Sequence, residues 1–321
     1  MTKALWLTGP EQAALRDVTL TPKLGDVTVQ TLFTGVSRGT ERLVFRGGVP
    51  ASEHDTMRAP FQEGAFSFPV KYGYCAVGQI ADGPRADEVV FALFPHQSQF
   101  CLPPEALTPV PANVPPARAV LAANMETALN ITWDAQIGIG DRVVVIGCGV
   151  VGALVGYLAA KVPGTEVILC DIDPAKQDLA QQLGCDFAVP QDLDGAADAD
   201  VVIHASASAG GLQTALSVAG VEARIVEASW FGAQDVAIGL GGRFHQRRLQ
   251  MISSQVGRIP AHQAARWTYQ RRLGKALDLL ADPCLDVLIS GETAFADLAA
   301  DYRDILMNPA TLCHRVRYAD A

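Results

Sequence analysis

The sequence predicts an α/β chain in which a β-rich first part leads into a doubly wound parallel sheet. Three observations carry this. Up to about residue 116 the chain breaks into short apolar or alternating runs between Gly and Pro. From Ala117 onward, strand-length and helix-length apolar segments alternate. Between them, Asp141 to Asp171 reads DRVVVIGCGVVGALVGYLAAKVPGTEVILCD: a strand, a glycine turn, a helix and a second strand that ends on an acid.

Taken in order, Ala4 to Leu7, Asp26 to Phe33, Tyr74 to Ala81, Glu88 to Leu93 and Phe100 to Pro103 predict strands, each bounded by turn residues. Arg118 to Trp133 has helical spacing. Val143–Ile146, Val167–Cys170, Phe187–Val189, Val201–Ala205, Ala223–Ala228 and Gln250–Ser254 predict the six strands of the parallel sheet. The tail predicts a helix from His262 to Leu280, an extended Val287–Ser290, a helix from Phe295 to Met307 and a last strand at His314–Tyr318.

The glycine turn is where chemistry enters. In Gly147-Cys148-Gly149-Val150-Val151-Gly152, the first glycine allows a tight turn and the second lets backbone approach a pyrophosphate. The third lets the helix pack close to the strand, and that helix's N-terminus offers unpaired N–H groups and partial positive charge. Asp171, closing the second strand, can accept hydrogen bonds from adenosine ribose hydroxyls and would repel a 2′-phosphate. Asp173 adds to that repulsion, and Lys176 is the only nearby cation, so NAD is favoured over NADP. Asp173-Pro174 also reads as the cap of a helix from Ala175 to Leu183. A membrane span is the rival reading of the uncharged Val143 to Ala160, but three clustered glycines and close flanking charges disfavour it.

Bulk properties narrow the field. The chain has 321 residues, enough for two domains, and 49% hydrophobic residues, enough for real cores. A net charge of −9 without any basic run argues against nucleic acid and anionic membranes as partners and leaves a small-molecule substrate. The start, MTKALWLTG, lacks a signal-peptide apolar region. The odd count of 7 cysteines, with no C-x-x-C, predicts reduced thiols and a cytoplasmic protein.

Four further segments bring a family into view. Thr34-Gly35-Val36-Ser37-Arg38-Gly39-Thr40-Glu41 resembles the first catalytic-domain loop of the medium-chain dehydrogenase/reductase superfamily, and Tyr72-Gly73-Tyr74-Cys75-Ala76-Val77-Gly78 resembles its G-H-E-x-x-G turn. Asn124-Met125-Glu126-Thr127-Ala128 resembles the helix beside its cofactor cleft, and Gly140-Asp141-Arg142-Val143 its G-D-x-V opening. The resemblance implies a chaperonin-10-like β-rich catalytic domain (1–116 and 264–321), a Rossmann domain (117–263) and a cleft between them. It also makes a homodimer through the edge of the sixth Rossmann strand an expectation.

The departures from that family bear on mechanism. Its zinc members ligate the metal with a Cys in the first loop, a His in the G-H-E turn and a third Cys, Asp or Glu. Here those positions hold Ser37 or Arg38, then Tyr74, with Cys75 where the Glu would be; only Glu126 remains as a ligand type. The four-cysteine lobe for structural zinc is missing, so the sequence predicts no metal. Without a Lewis acid, the proton of the reacting oxygen needs another handler. Tyr74 is the leading candidate, by hydrogen bond or, if its pKa is lowered, by proton donation; it reads equally as a tyrosine that only shapes the pocket. His96 is a second candidate, although a lone loop histidine is more often structural. Glu126 can orient a hydroxyl or water, or pair with Arg38. Ser37 and Thr127 are candidate donors to substrate or nicotinamide. Ser206, at the end of the fourth strand, and Ser229, at the end of the fifth, flank the cofactor by topology, as does Ser253 to Gly257 after the sixth. Phe61, Phe66 and Phe68 read as a lid, a pocket wall or satellite core.

The first function these residues support is a zinc-independent, NAD-dependent oxidoreductase acting on an alcohol and carbonyl pair. A looser similarity of Ser37 to Glu41 and Phe94 to Gln97 to the bacteriochlorophyllide hydroxyethyl dehydrogenase subgroup does not extend to a substrate. The alternatives are an NAD(P)H-dependent quinone or enone reductase, and a catalytically silent NAD-binding protein.

Overall fold

The computed structural model describes residues 2–193 and 198–318. The chain divides into two compact units, Met1–Ala123 with Leu273–Ala321, and Asn124–Arg272. In chain order the first part supplies β1 (Thr2–Gly9), β2 (Gln12–Val18), β3 (Val27–Ser37), α1 (Arg38–Phe45), β4 (Glu63–Gly64), β5 (Val70–Lys71), β6 (Ala76–Ile80), β7 (Val89–Ala92), β8 (Gln99–Leu102), β9 (Thr108–Pro109) and α2 (Pro116–Ala119). There follow α3 (Ala122–Ala135), β10 (Arg142–Ile146), α4 (Val150–Ala160), β11 (Glu166–Cys170), α5 (Gln177–Gln182), β12 (Asp186–Ala188), β13 (Ala199–His204), α6 (Ala209–Val218), β14 (Ala219–Glu227) and β15 (Gln250–Ser253). The last part holds α7 (Ala261–Ala264), α8 (Tyr269–Leu279), β16 (Ile289–Ala294), α9 (Leu298–Met307) and β17 (Cys313–Arg317).

The second unit is built on a parallel sheet ordered β12-β11-β10-β13-β14-β15. All six predicted strands are present, and the order reverses between β10 and β13. That reversal is the switch point at which open α/β sheets bind ligands. β10 reads RVVVI with four consecutive buried residues, the pattern of a strand covered on both faces. Val144, Ile146, Cys170, Val202 and Ile225 pack with Leu212 and Leu216 of α6 into one core.

In the first unit, β16-β17-β3-β6-β7-β9 form one sheet, with β8 also on β3, and β2-β1-β5-β4 form another. The predicted return of the tail is seen in β17, which runs antiparallel to β3 with His314 opposite Val36. β1 ties down the loop after β7: the Leu5 N–H donates to the His96 carbonyl at 2.9 Å. β3 holds the same loop from the other side, through the Thr31 N–H to the Ser98 carbonyl (3.0 Å) and the Thr31 hydroxyl to the Gln97 carbonyl (2.6 Å).

Several predicted elements differ. Arg118 to Trp133 is interrupted: α2 ends at Ala119 and α3 begins at Ala122. α2 packs against β3 and β6, so the division between the units falls later than residue 116. The helix predicted from His262 to Leu280 is two helices, broken before Tyr269. Pro283–Leu288 is a 3-10 helix and the extended segment begins at Ile289, because Asp282 caps the Cys284 N–H and Pro283 takes the first helical position. Asp173 likewise caps a 3-10 turn at Pro174–Lys176 ahead of α5, in place of one continuous helix. Among the described residues no helix is long and apolar enough to cross a membrane.

All seven cysteines are free; Cys75, Cys148, Cys170, Cys185 and Cys313 are buried, while Cys101 and Cys284 are partly exposed. Burial pushes the thiols of Cys148, Cys170, Cys185 and Cys313 up to about 12, and that of Cys75 well above its ordinary value. The thiolate is the reacting form. At about pH 8 iodoacetamide should therefore modify Cys101 and Cys284 in the native protein and the other five only after unfolding. Peptide mass mapping that finds Cys148 among the first sites labelled would contradict this packing.

Candidate functional site

The glycine bend of the second unit follows from contacts that only glycine permits. Gly147 has φ of +104°, and a Cβ there would fall 2.8 Å from the Ser206 nitrogen and 2.9 Å from the Ala205 carbonyl carbon. A Cβ on Gly152 would fall 1.9 Å from the Gly147 carbonyl oxygen. Gly149, which caps α4 in extended backbone, has nothing within 4 Å of the place a Cβ would occupy. The first and third glycines are thus filled in by protein, while the middle one faces open space, as a backbone that receives a ligand would. Val150, buried, and Val151, partly buried, begin α4 at the carboxyl end of β10.

Asp171 is already committed to holding this bend. Its Oδ2 accepts the Cys148 N–H at 2.7 Å and its Oδ1 the Asp173 N–H at 3.0 Å. A carboxylate offers about four acceptor positions, so two remain for ribose hydroxyls. Asp173 turns its own Oδ1 to the Ala175 N–H at 3.0 Å, the capping role. At the ends of the next strands, the Ser206 hydroxyl lies 2.7 Å from His204 Nε2. The Ser229 hydroxyl accepts the Ala207 N–H at 3.0 Å, and the Ser229 N–H donates to Glu227 Oε1 at 2.8 Å. Thr127 is partly buried on α3. The donor set therefore fits a dinucleotide diphosphate with free ribose hydroxyls.

Glu126 lies in this second unit. Its buried carboxylate takes the Arg272 Nε at 3.0 Å. Burial raises its pKa, against the opposing pull of Arg272. Arg272 continues to the Asn130 Oδ1 (2.5 Å) and the Val256 carbonyl (2.6 Å), while Asp134 accepts from the Ser254 hydroxyl at 2.6 Å. Glu126, Asn130 and Asp134 are spaced at i, i+4 and i+8 and share one helix face, which anchors the segment after β15. Glu126 is thereby held through its Oε1 in an ion pair within its own unit. Arg38, in the first unit, donates its Nε to the Leu306 carbonyl at 3.1 Å.

In the first unit, the Tyr74 phenol is hydrogen-bonded to the hydroxyls of Ser37 and Thr40. Burial, with Cys75 and Glu41 adding to it, raises the phenol pKa well beyond its usual value, and the two hydroxyls only partly offset this. The lowered pKa that would let Tyr74 lose a proton easily is not present. Tyr74 stays a phenol. Its ring is held by the edge of Tyr72 at 6.0 Å, which in turn meets Phe66 at 5.8 Å; Phe61 meets Phe94 at 5.8 Å.

Behind these hydroxyls lies a network the sequence reading did not assemble. Glu41 is fully buried; its Oε1 accepts the Ser37 N–H (2.7 Å) and its Oε2 the Tyr302 hydroxyl (2.6 Å) and His96 Nε2 (3.0 Å). His96 Nδ1 is 2.7 Å from the Thr34 hydroxyl, itself 3.4 Å from the Tyr318 hydroxyl. His96 is 1% exposed with both ring nitrogens engaged, so it cannot meet a ligand itself and acts only through Glu41. Gly73 makes room for it, since a Cβ there would lie 3.0 Å from the imidazole Cδ2. Tyr302 and Tyr318 gave no local signal; only the fold of β17 and α9 onto β3 and α1 brings them in.

The residues at the positions where the resemblance would put zinc ligands, each taken in its own unit, do not fit a zinc ion. Ser37 and Tyr74 are bonded to each other, Arg38 to a carbonyl, Cys75 is a buried thiol with a raised pKa, and Glu126 is paired. Among the described residues no group of three His, Cys, Asp or Glu is placed to hold a metal.

No family model matches the chain. It is 25% identical over 224 residues to 2-dehydro-3-deoxy-L-galactonate 5-dehydrogenase of Pseudoalteromonas atlantica, covering 66% of this chain and 62% of that protein. The match thus spans less than two thirds of the relative's own length. L-idonate 5-dehydrogenase of Escherichia coli superposes with a TM-score of 0.81 at 14% identity, over 98% of each chain. A dehydrogenase of Sinorhizobium meliloti solved with NADP has a TM-score of 0.77 at 18% identity, over 99% of each chain. An alcohol dehydrogenase of Escherichia coli CFT073 in complex with NADH has 0.76 at 18% identity, over 99% of this chain and 98% of that one. These neighbours share the chain's fold throughout.

The two outer glycines and the middle one separate stability from binding. Gly149→Ala should fold with stability within about 1 kcal/mol of the parent yet weaken NADH binding by fluorescence titration. Gly152→Ala should instead lower the thermal midpoint. Undiminished NADH affinity in a folded Gly149→Ala protein would remove the bend from the binding site.

Proposed function

We propose that this chain, a medium-chain dehydrogenase/reductase in fold, is a zinc-independent, NAD(H)-dependent oxidoreductase that interconverts an alcohol and a carbonyl compound. The observation that carries the reading is the glycine bend: open at Gly149, closed by protein at Gly147 and Gly152, and backed by the Asp171 carboxylate. Gly147, Gly149, Gly152 and the first amides of α4, at Val150 and Val151, hold the diphosphate. Asp171, with Asp173 beside it, receives the adenosine ribose and excludes a 2′-phosphate; Ser206, Ser229 and Thr127 flank the rest. The nicotinamide, when bound, supplies the hydride acceptor or donor.

The substrate oxygen is assigned to the hydroxyl cluster of Tyr74, Ser37 and Thr40. A phenol whose pKa is raised remains a hydrogen-bond donor and stabilises the negative charge that gathers on a carbonyl oxygen as hydride arrives. In the reverse direction the alcohol carbon gives its hydride to the nicotinamide and the hydroxyl proton passes to solvent water, while the Tyr74, Ser37 and Thr40 hydroxyls stay neutral and hydrogen-bond the substrate oxygen. Glu41, with His96 behind it, fixes the loop by holding the Ser37 N–H. The name of the curated relative, a sugar-acid dehydrogenase, favours a polyhydroxylated substrate.

NADH should bind at least about tenfold more tightly than NADPH, a difference of about 1.4 kcal/mol; calorimetry finding the reverse preference would refute the Asp171 assignment and favour the enone reductase reading. Across a panel of polyols and their ketones, Tyr74→Phe should lower kcat/KM by roughly 10² to 10³, the loss of one oxyanion donor. Because the Tyr74 pKa moves upward, the donor form persists as pH rises, and its share of the rate should not decline up to about pH 10. Unchanged turnover in Tyr74→Phe would take Tyr74 out of the reaction.

A further inference from the structure

At the rim of the proposed cofactor site, where Ser206 lies against the glycine bend, one constellation carries groups whose chemistry hydride transfer does not use. His204, the last residue of β13, is fully buried, with Nδ1 2.7 Å from Glu227 Oε2 and Nε2 2.7 Å from the Ser206 hydroxyl. The acid and the base are register partners on β14 and β13. A carboxylate only accepts, so the Nδ1 proton points at Glu227 and Nε2 is left to accept from Ser206. This is the order, acid on Nδ1 and hydroxyl on Nε2, in which imidazole can take a serine proton while the acid stabilises the resulting cation. The Phe231 ring stacks on the imidazole at 6.0 Å between centroids.

The backbone around Ser206 suits a nucleophile. Ser206 is partly exposed, and Ala207 after it has φ of +51°, an uncommon left-handed conformation for alanine. Ser208 then caps α6, taking the Gly211 N–H at 3.0 Å. A Cβ on Gly211 would fall 2.2 Å from the Ser206 Oγ and 2.8 Å from His204 Nε2. Bare glycine therefore lets the first turn of the helix reach the serine. The amides of Ala209 and Gly210 in that turn have no intrahelical partner and can meet a developing oxyanion.

We propose that Ser206 is an activated nucleophile, with His204 as its base and Glu227 orienting the base, forming a second centre that accepts acyl groups from small activated esters. The Ser206 oxygen attacks the ester carbonyl carbon as its proton passes to His204 Nε2. The ester C–O bond breaks, the leaving alkoxide or phenoxide takes that proton, and the acyl group stays on Ser206. A water deprotonated by His204 then releases the carboxylic acid and restores the serine, with no change of oxidation state. No bound dinucleotide is required.

The test is labelling of the full chain with an alkyl fluorophosphonate, which loses fluoride to an activated serine, read by intact mass and peptide mapping. One phosphonyl group at Ser206 is expected, absent in Ser206→Ala. The labelling rate should fall at least ~100-fold in His204→Asn and Glu227→Gln. Glu227 is partly exposed, so Glu227→Gln keeps the test decisive if the buried histidine variant does not fold. No adduct, an adduct at Ser208, Ser229 or elsewhere, or an unchanged rate in Glu227→Gln would overturn the proposal.

Discussion

The second unit rests on the contact of two main chains, Gly152 of α4 against the carbonyl of Gly147. With no Cβ at residue 152, α4 can begin directly at the end of β10, and its first amides open on the carboxyl edge of the sheet. The rest of the pocket is assembled against this contact. Asp171 reaches the Cys148 amide because β11 lies beside β10 with Cys170 opposite Ile146. The Ala205 N–H reaches the Ile146 carbonyl from the other side, which brings Ser206 to the bend.

The first unit is organised around a carboxylate. A buried Glu41 without donors would be costly, and the fold gives it three: a backbone N–H, a phenol and an imidazole. With Nε2 donating to Glu41, His96 Nδ1 is left to accept from Thr34, so the donors run inward from Tyr318 to a single sink. That directionality orders the segment from Ser37 to Glu41 and hence the hydroxyl cluster with Tyr74. At Ser37 and Tyr74, where the resemblance to the medium-chain superfamily would put zinc ligands, this chain has hydroxyls that bond each other.

The parts of this arrangement that the sequence made legible are the local ones. Glycine spacing, a strand before it and an acid after it are all within thirty-odd residues, and their physical roles do not depend on distant chain. The six parallel strands were readable for the same reason, since each is a short apolar run between breaks. The long-range pairings were not. Glu126 was left open between orienting a hydroxyl or water and pairing with Arg38; its Arg272 partner, 146 residues away, has no local signal, although the E-x-x-x-N-x-x-x-D spacing on α3 marks a polar stripe. His96 looked like a loop histidine because nothing near it in sequence announces Glu41 or Thr34. The helix breaks before Ala122 and Tyr269 were invisible because apolar spacing continues across both.

The tight fit of Gly147 against the main chain of Ala205 and Ser206 means that two neighbouring surfaces share one wall. Any change that swells or shifts that wall acts on both, so the loop after β13 and the turn after β10 cannot drift independently in evolution. Substitutions at residues 205 to 207 will therefore carry a correlated cost at the glycine turn, and so will changes at Asp171, whose carboxylate holds the Cys148 amide of that same turn from the β11 side.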